Sequence, residues 1–254
     1  MKIRAIAFNT FKEAIKDRIL YLLFFFAAVC FVFSRLLALL TVGDRVKIVT
    51  DVGLAALSII GALMAILVGT GLVYKEIDKK TIFTLLAKPI HRYQFILGKF
   101  FGMIVTLGVM LFVMTLIFLA VLFLHTFQID WRVFLIVFLI FIELSLITAV
   151  AILFSSFSTP ILSSIFTLAF YLIGHFSWGF ETLISKIQSG FLKSAVRGLY
   201  TLLPDLENFN YKTEIVHHLP LPSSALLLSI LYGIAYTAFI LALAMVIFRK
   251  RDFL

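Results

Sequence analysis

Residues 52–92 read VGLAALSIIGALMAILVGTGLV followed by YKEIDKKTIFTLLAKPIHR, an uncharged apolar run that ends at a charged island. A helix needs about 20 apolar residues to cross the hydrocarbon of a bilayer, and the first stretch is long enough. Charged side chains are costly inside hydrocarbon, so the second stretch belongs outside it. The junction predicts a transmembrane helix that leaves the membrane at a polar turn.

The composition extends this interpretation to the whole chain. Of 254 residues, 63% are hydrophobic and 14% are charged, whereas soluble domains average roughly 45–50% apolar and about 25% charged residues. Backbone polar groups must be paired inside hydrocarbon, and continuous apolar runs without alternation argue against a barrel. The sequence therefore predicts an all-α integral membrane protein with a single transmembrane domain over residues 1–254.

Six apolar runs are candidates for transmembrane helices. They are Ile19–Leu40, Val52–Val73, Phe100–Leu124, Val133–Phe154, Ile161–Phe176 and Ser223–Phe248. The fifth run is the shortest, just below the usual minimum of about 17 residues, and a re-entrant helix would also fit it. We expect six transmembrane helices.

Two amphipathic patterns flank these runs. Residues 1–18 predict a helix at the cytoplasmic surface of the membrane, whose basic side chains reach lipid headgroups. Its apolar stripe comprises Ile3, Ala7, Phe8, Phe11 and Ile15. A second pattern runs from Phe180 to about Leu203 in the outer loop 177–222 and predicts an amphipathic or re-entrant helix on the outer side. Simple anchoring and a gating or substrate-handling role are both open for these segments.

The distribution of basic residues orients the helices. Of 22 Lys and Arg, 14 fall in residues 1–18, 74–99 and 249–254, which share one side with the turn 155–160, and 8 fall on the opposite side. The positive-inside rule places both termini and the charged island in the cytoplasm. Anionic membrane lipids suit the net charge of +9 better than a nucleic acid does, because no basic cluster lies away from the membrane flanks.

Motifs for catalysis or cofactor binding are missing from the sequence. Gly98-Lys99 is followed by Phe100 and lacks the upstream glycine of a P-loop, so it does not predict an ATP site. Cys30 is the single cysteine, and His217-His218 are neighbours whose side chains diverge, so neither pattern favours a metal site. We expect no catalytic residue, metal or cofactor on this chain.

Glu143 is the ionisable residue nearest the middle of a predicted span. A carboxylate at that depth is costly, which makes it a candidate for the translocation pathway, where it lines a polar cavity or pairs across an interface. The structural alternative is a protonated side chain that hydrogen-bonds to Ser145 or Thr148 on adjacent turns.

The charged island has a helical pattern of its own. A helix from Thr81 to Ile90 places Ile82, Leu85 and Leu86 on one face, and Pro89 ends it. Such a short helix cannot bury its apolar face alone. It must lie on the bilayer, pack on the other helices, or insert into a groove of a partner.

The order of residues in the turn 74–99 resembles the signature turn of ABC-2-type transporter permeases. The matching residues are Glu76, Thr81, Leu85-Leu86, Pro89-Ile90, Arg92 and Gly98-Lys99. Lys80 stands where the family commonly has Gly. Residues 11–18, 203–209 and 248–253 are also similar to stretches of family members.

The resemblance implies a function and a set of partners. It implies a coupling helix that contacts a separate ATPase through Glu76, Thr81, Leu85, Leu86, Pro89 and Arg92. It also implies a homodimeric permease in the inner membrane of a prokaryote, with ATP and Mg on the partner ATPase and export as the activity. A periplasmic accessory protein would be a further partner.

Two other classes of function remain open at this point. The first is a force-transmitter that uses the same ATPase but acts on a periplasmic partner instead of moving a substrate. The second is a self-contained secondary transporter, which usually has charged or broken helices at mid-membrane; here only Glu143 meets that description.

Overall fold

The computed structural model describes residues 2–16, 23, 25–30, 32–33, 45–78, 91–126, 130–176, 190, 194, 203–216, 219–220 and 223–250. No strand occurs among these residues. Three predicted features lie wholly or mostly outside them: the first span Ile19–Leu40, the helix Thr81–Ile90 of the coupling turn, and the amphipathic pattern from Phe180 to Leu203. His217-His218 also lie outside the described residues.

The described part of the chain is built from helices. In chain order they are α1 (Lys2–Lys16), α2 (Arg45–Asp78), α3 (Arg92–Thr126), α4 (Arg132–Ser155), α5 (Pro160–His175), a 3₁₀ turn (Leu206–Phe209), α6 (Lys212–Val216) and α7 (Ser223–Lys250).

Within these residues, four helices are long and apolar enough to cross a membrane: Val46–Gly71, Arg92–Leu124, Arg132–Ser155 and Ser223–Arg249. The fifth predicted span corresponds to the shorter helix α5.

Two of the long helices extend beyond the apolar runs that predict them. The second predicted span ends at Val73, but α2 continues to Asp78, and the third begins at Phe100, but α3 starts at Arg92. The added residues include Lys and Glu, which are good helix formers, and no proline interrupts them. Hydropathy marks where a chain leaves hydrocarbon, whereas the helix ends where its backbone pattern breaks.

The helices form a bundle with two distinct ends. We call the end that holds α1, the start of α3 and the end of α7 the terminus end. The opposite end, which holds the start of α4, the end of α5 and the segment 203–216, is called the loop end. These positions follow from the contacts of α1 with α3, of Arg92 with the last carbonyls of α7, and of the 3₁₀ turn with α4 and α5.

Helix α4 is the centre of the bundle. It packs against α2, α3, α5 and α7, and Leu144, Ile147, Val150 and Ile152 are fully buried. A helix that is apolar on every side can be buried on every side; α4 has no exposed residue from Leu139 to Ser155, whereas Phe134 and Phe138 in its first half are exposed. Helix α7 differs, since only 22% of its most apolar stretch is buried, and its outer face therefore suits contact with lipid.

Small residues bring α2 close to α4. A Cβ atom added at Gly61 would lie 2.6 Å from Leu144 Cδ1, and one added at Gly69 would lie 2.7 Å from Ala151 Cβ. Lipid tails are as apolar as leucine, so the association of membrane helices depends on close packing rather than on removal of apolar surface from water. The glycines permit that close packing along α2.

The same kind of contact holds α1 against α3. A Cβ atom at Gly98 would lie 2.7 Å from Ile6 Cβ, and one at Gly102 would lie 2.6 Å from the Ala7 carbonyl oxygen and 2.6 Å from Thr10 Cβ. The Gly98-x-x-x-Gly102 pattern, which is only weak evidence by itself, is therefore the crossing point of two helices.

Two residues of the predicted apolar stripe of α1 are exposed, which a helix at the membrane surface allows. Phe8 is 59% exposed and Ile15 is 40% exposed, whereas Thr10 and Ala14 are buried. The face of α1 that packs on α3 includes Ile6, which meets Gly98, and Ala7 and Thr10, which meet Gly102. Phe8 lies away from this contact, and Lys12 Nζ lies 4.5 Å above its ring.

We expect Gly102→Ala to detach α1 from α3, because the new methyl group would meet a backbone oxygen that cannot move independently. Overpacking of this kind costs about 1–3 kcal/mol, and thermal unfolding of the purified chain in mild detergent measures it. The matched control is Gly71→Ala, where an added Cβ meets no atom of the described residues within 4 Å. The control should unfold at the wild-type temperature or slightly above it, and an equal drop in both variants would contradict the crossing at Gly102.

Candidate functional site

Glu143 lies at the middle of α4, eleven residues after Arg132 and twelve before Ser155. At about 1.5 Å per residue, its Cα is roughly 17 Å from either end of the helix. The residue is 2% exposed. The side chain is therefore held among apolar helices, where an ionised carboxylate without a partner would be very costly.

His175 supplies the partner. Its Nε2 atom lies 2.9 Å from Glu143 Oε1, which is a hydrogen-bond distance for an imidazole and a carboxylate. The ring of Tyr171, one turn earlier on α5, meets the His175 ring edge to face with centroids 4.6 Å apart. The imidazole is thus fixed by a carboxylate and by an aromatic ring.

The structural alternative for Glu143, a hydrogen bond to Ser145 or Thr148, is not what the structure shows. The Ser145 hydroxyl donates to the Phe141 carbonyl at 2.7 Å, and the Thr148 hydroxyl donates to the Leu144 carbonyl at 2.7 Å. Both hydroxyls therefore bond to the helix backbone one turn earlier, as Ser and Thr commonly do within membrane helices. They leave the carboxylate to a histidine on another helix.

His175 reaches this depth because α5 is short. The helix starts at Pro160, a residue whose fixed φ and missing N–H suit the first helical position. Its 16 residues extend about 24 Å, less than the hydrocarbon thickness of about 30 Å. The helix therefore ends inside the bundle, with His175 beside the midpoint of α4.

The segment 203–216 fills the space beyond the end of α5. Leu206 is fully buried, and a Cβ at Gly174 would lie 2.6 Å from its Cγ atom. Phe209 is buried against Gly233 of α7, where an added Cβ would meet its ring at 3.0 Å. The Tyr232 hydroxyl accepts a hydrogen bond from the Asp205 backbone N–H at 3.0 Å. Side-chain packing and a backbone hydrogen bond hold the segment in place.

Glu207 connects this segment to the histidine. Its Oε2 atom lies 3.5 Å from His175 Nδ1, and its Oε1 atom accepts a hydrogen bond from Asn210 Nδ2 at 2.7 Å. Asp205 caps the 3₁₀ turn by accepting from the Glu207 backbone N–H at 3.1 Å. The cap and the amide fix the carboxylate of Glu207 on the loop-end side of the imidazole.

Lys212, at the start of α6, completes the charges of the site. Burial lowers the pKa of its ammonium group, and the negative charges of Glu143, Glu207 and Asp51 oppose that shift. Removal from water disfavours the charged amine, whereas nearby carboxylates favour it. A single ammonium group therefore balances carboxylates from α4, the 3₁₀ turn and α2.

The arrangement suits proton exchange and charge pairing. The two ring nitrogens of His175 face two different carboxylates, Nε2 that of Glu143 and Nδ1 that of Glu207. The imidazole therefore lies between the carboxylates, and the three groups do not converge on one point as metal ligands would. Within the described ranges, no group of three or more His, Cys, Asp or Glu could hold a metal ion. The chemistry available at this site is hydrogen bonding and proton transfer.

Sequence reasoning found Glu143 but missed His175, Glu207 and Lys212. A signal was present for His175, since the fifth span is too short to cross hydrocarbon and has a histidine next to its last predicted residue. No comparable signal pointed to Glu207 or Lys212, because they belong to a loop whose path the sequence does not reveal.

The residues expected at the ATPase contact are only partly described. Glu76 belongs to α2, whereas Thr81, Leu85, Leu86 and Pro89 lie outside the described residues. Arg92 opens α3, and its guanidinium donates to the carbonyl oxygens of Phe248 at 3.3 Å and Arg249 at 3.0 Å. These carbonyls end α7, so the cation also meets the negative end of a helix dipole.

The comparison with protein families identifies the family of the chain. A family model described as an ABC-2 family transporter protein matches residues 4–253. The chain therefore belongs to the ABC-2 family of transporter proteins, and with its apolar helices it is a multi-pass membrane protein. No curated protein matches the chain in sequence.

We expect Gly174→Ala to displace the segment 203–216, because Leu206 Cγ and the Pro204 carbonyl would lie 2.6 and 3.2 Å from the new atom. A cysteine introduced at the exposed Asn208 reports this displacement by its labelling rate, since the native Cys30 is buried. We expect labelling to be about three- to tenfold faster, as for a local opening made easier by about 1 kcal/mol. Gly108→Ala is the control, because its added Cβ makes an ordinary 3.6 Å contact; equal labelling in both variants would contradict the packing at Gly174.

We expect Arg92→Met to destabilise the subunit by about 1 kcal/mol, because the last carbonyls of α7 lose a charge-assisted hydrogen-bond donor. Chemical unfolding of the purified chain, in the absence of any partner, measures this loss. Arg4→Met is the matched control, since Arg4 is exposed on α1. If both variants unfold alike, the contact of Arg92 with α7 contributes nothing measurable to stability.

Proposed function

We propose that this chain is the membrane-spanning subunit of an ABC transporter, which couples ATP hydrolysis on a separate ATPase to movement of a substrate across the inner membrane of a prokaryote. Membership of the ABC-2 family over residues 4–253 is the observation that carries the proposal. The ordered residues of the turn 74–99 add support, because they match the part of such permeases that meets the ATPase. Export is the direction we propose.

The geometry on both sides of the turn suits mechanical coupling. Helix α2 has 34 residues and α3 has 35, so each continues from the turn without interruption through the bundle. Both pack on the central α4. A displacement of the turn by the ATPase would therefore move two rigid helices against the centre of the membrane domain. The nucleotide bound to the ATPase can shift the conformation of the membrane domain only if the ATPase binds the two conformations with different free energies.

The contact residues follow from the family resemblance. Glu76, Thr81, Leu85, Leu86, Pro89 and Arg92 would meet the ATPase. Arg92 has a second role in this proposal, because its bond to the end of α7 links the turn to a further transmembrane helix. Movement of the turn would then reach α2, α3 and α7 together.

The proposed orientation places the terminus end in the cytoplasm and the loop end in the periplasm. The excess of Lys and Arg on the terminus side supports it. In this orientation Glu143 lies on the route between the two sides, as a candidate lining residue of the translocation pathway. ATP and Mg would bind on the ATPase, and a second copy of the permease would complete the membrane domain.

A second candidate function is force transmission to a periplasmic partner. It is favoured by the segment 203–216, which is folded and anchored at the loop end by buried Leu206 and Phe209. An ordered segment on that side offers an attachment surface that would move with α5 and α7. The same ATPase coupling would drive it, with a periplasmic accessory protein as the recipient of the movement.

The first test is copurification of the tagged chain from its native membrane. We expect a P-loop ATPase in equal amount, and the double substitution Leu85→Asp with Leu86→Asp should remove it, because two carboxylates cannot be buried in an apolar groove. The control is Leu85→Met with Leu86→Met, which preserves apolar volume and should retain the ATPase. Wild-type chain that is intact but brings no ATPase would overturn the proposed function.

If the ATPase copurifies equally with the Asp and Met variants, the proposed function stands and the assignment of these two leucines fails. Membrane insertion of each variant, measured by extraction with mild detergent, ensures that only inserted protein is compared.

A further inference from the structure

Three titratable side chains form a line from the membrane centre toward the loop-end surface. The exposed fraction of the side chain rises from 3% for Glu143 to 19% for His175 and 43% for Glu207. The line therefore leads from the buried carboxylate of Glu143, through the imidazole of His175, to the partly exposed carboxylate of Glu207. We propose that these three residues take up a proton from the loop-end side and deliver it to Glu143.

Each ring nitrogen has a separate task in this transfer. In the starting state the neutral imidazole donates its Nε2–H to the Glu143 carboxylate across 2.9 Å. A proton carried by the Glu207 carboxyl forms a new N–H bond at Nδ1, the N–H bond at Nε2 breaks, and an O–H bond forms on Glu143 Oε1. Glu207 is again a carboxylate, Glu143 is a carboxylic acid, and the imidazole is neutral in its other tautomer. Imidazole is well suited to this exchange because either nitrogen can hold the proton.

The line is interrupted at one contact. The distance of 3.5 Å between His175 Nδ1 and Glu207 Oε2 exceeds the usual hydrogen-bond range of about 2.7–3.2 Å. Glu207 is held by Asn210 Nδ2 at 2.7 Å and by the cap of Asp205. Its approach to the imidazole therefore requires a small shift of the segment 203–216. Proton uptake is gated by the position of that segment.

Proton uptake by Glu143 also affects how firmly the segment 203–216 is held, because charged groups surround both. The charged and titratable groups described at this site include Asp51 of α2, Tyr171 and His175 of α5, Glu143 of α4, Glu207 of the 3₁₀ turn and Lys212 of α6. Helix α7 also packs on α4, and its Tyr232 hydroxyl accepts a hydrogen bond from the Asp205 backbone N–H. Protonation of Glu143 removes one of the three carboxylates that favour the Lys212 ammonium. The segment that carries Lys212 is then held less firmly, by the reciprocity of linked equilibria.

Infrared spectroscopy tests the path directly. The full-length chain is placed in liposomes in one orientation, the pH on the loop-end side is lowered rapidly, and the carboxylic acid band of Glu143 is assigned by its loss in Glu143→Gln. We expect Glu207→Gln to slow the appearance of this band at least about tenfold, which corresponds to a barrier higher by roughly 1.4 kcal/mol. Glu214→Gln makes the same change of charge on the same segment and should leave the rate unchanged.

Three outcomes would overturn the path. They are an unchanged rate in Glu207→Gln, an equal response to a pH drop on the terminus-end side, and the absence of any pH-dependent band that Glu143→Gln removes. The experiment needs no ATPase, so its failure is distinct from failure of the proposed transport function.

The link to the segment has its own measurement. A cysteine at Asn208 should be labelled at least about threefold faster in Glu143→Gln than in the unsubstituted chain at neutral pH, because the neutral amide copies the protonated carboxyl. Lower pH on the loop-end side should accelerate labelling in the chain with Glu143 and leave the Glu143→Gln chain unaffected. Identical labelling of the two chains at every pH would overturn the coupling between proton uptake and the segment.

Discussion

A carboxylate at the centre of a membrane domain must have a partner, and the hydrogen bond between His175 and Glu143 meets that requirement. The bond can form only because α5 ends at the depth of Glu143. A full-length helix in that position would carry its last residues past the carboxylate toward the surface. The early end of α5 also leaves space at the loop end, which the segment 203–216 occupies. One polar contact thus accounts for a short helix, an inserted loop segment and a line of charges between them.

Much of the fold could be predicted from the sequence, because length and hydropathy define a membrane helix almost alone. Four long helices lie where apolar runs predict them, and the short fifth run corresponds to α5. The packing faces could not be predicted in the same way. Phe8 and Ile15 of the predicted stripe are exposed, whereas Ile6 and Thr10 meet Gly98 and Gly102, a contact that the pattern of residues 1–18 did not predict. Inside the bundle, residues such as Gly98 and Gly102 decide which helices touch.

In the candidate site, too, the sequence predicts what depends on neighbouring residues and does not predict contacts between distant ones. Glu143 was identified from its position in an apolar run, which is a local property of the sequence. Its partner lies 32 residues away, and that pairing depends on where α5 stops and how it packs against α4. Glu207 and Lys212 depend on the path of a loop, for which periodicity offers no guide. Family resemblance supplied the coupling residues of the turn 74–99, and most of them lie outside the described residues.

Helix α2 joins the two candidate regions. Its last residues, 74–78, belong to the predicted coupling turn, while Asp51, near its start, lies among the charges around Lys212 at the loop end. A tilt of α2 would therefore change the distance between Asp51 and Lys212 as well as the position of the turn. Ionic contacts are sensitive to such changes, since their energy depends on both distance and burial. If an ATPase moves the end of α2, the interaction of Asp51 with Lys212 changes as well, and α6, which carries Lys212, would be held more or less firmly against the bundle in each cycle.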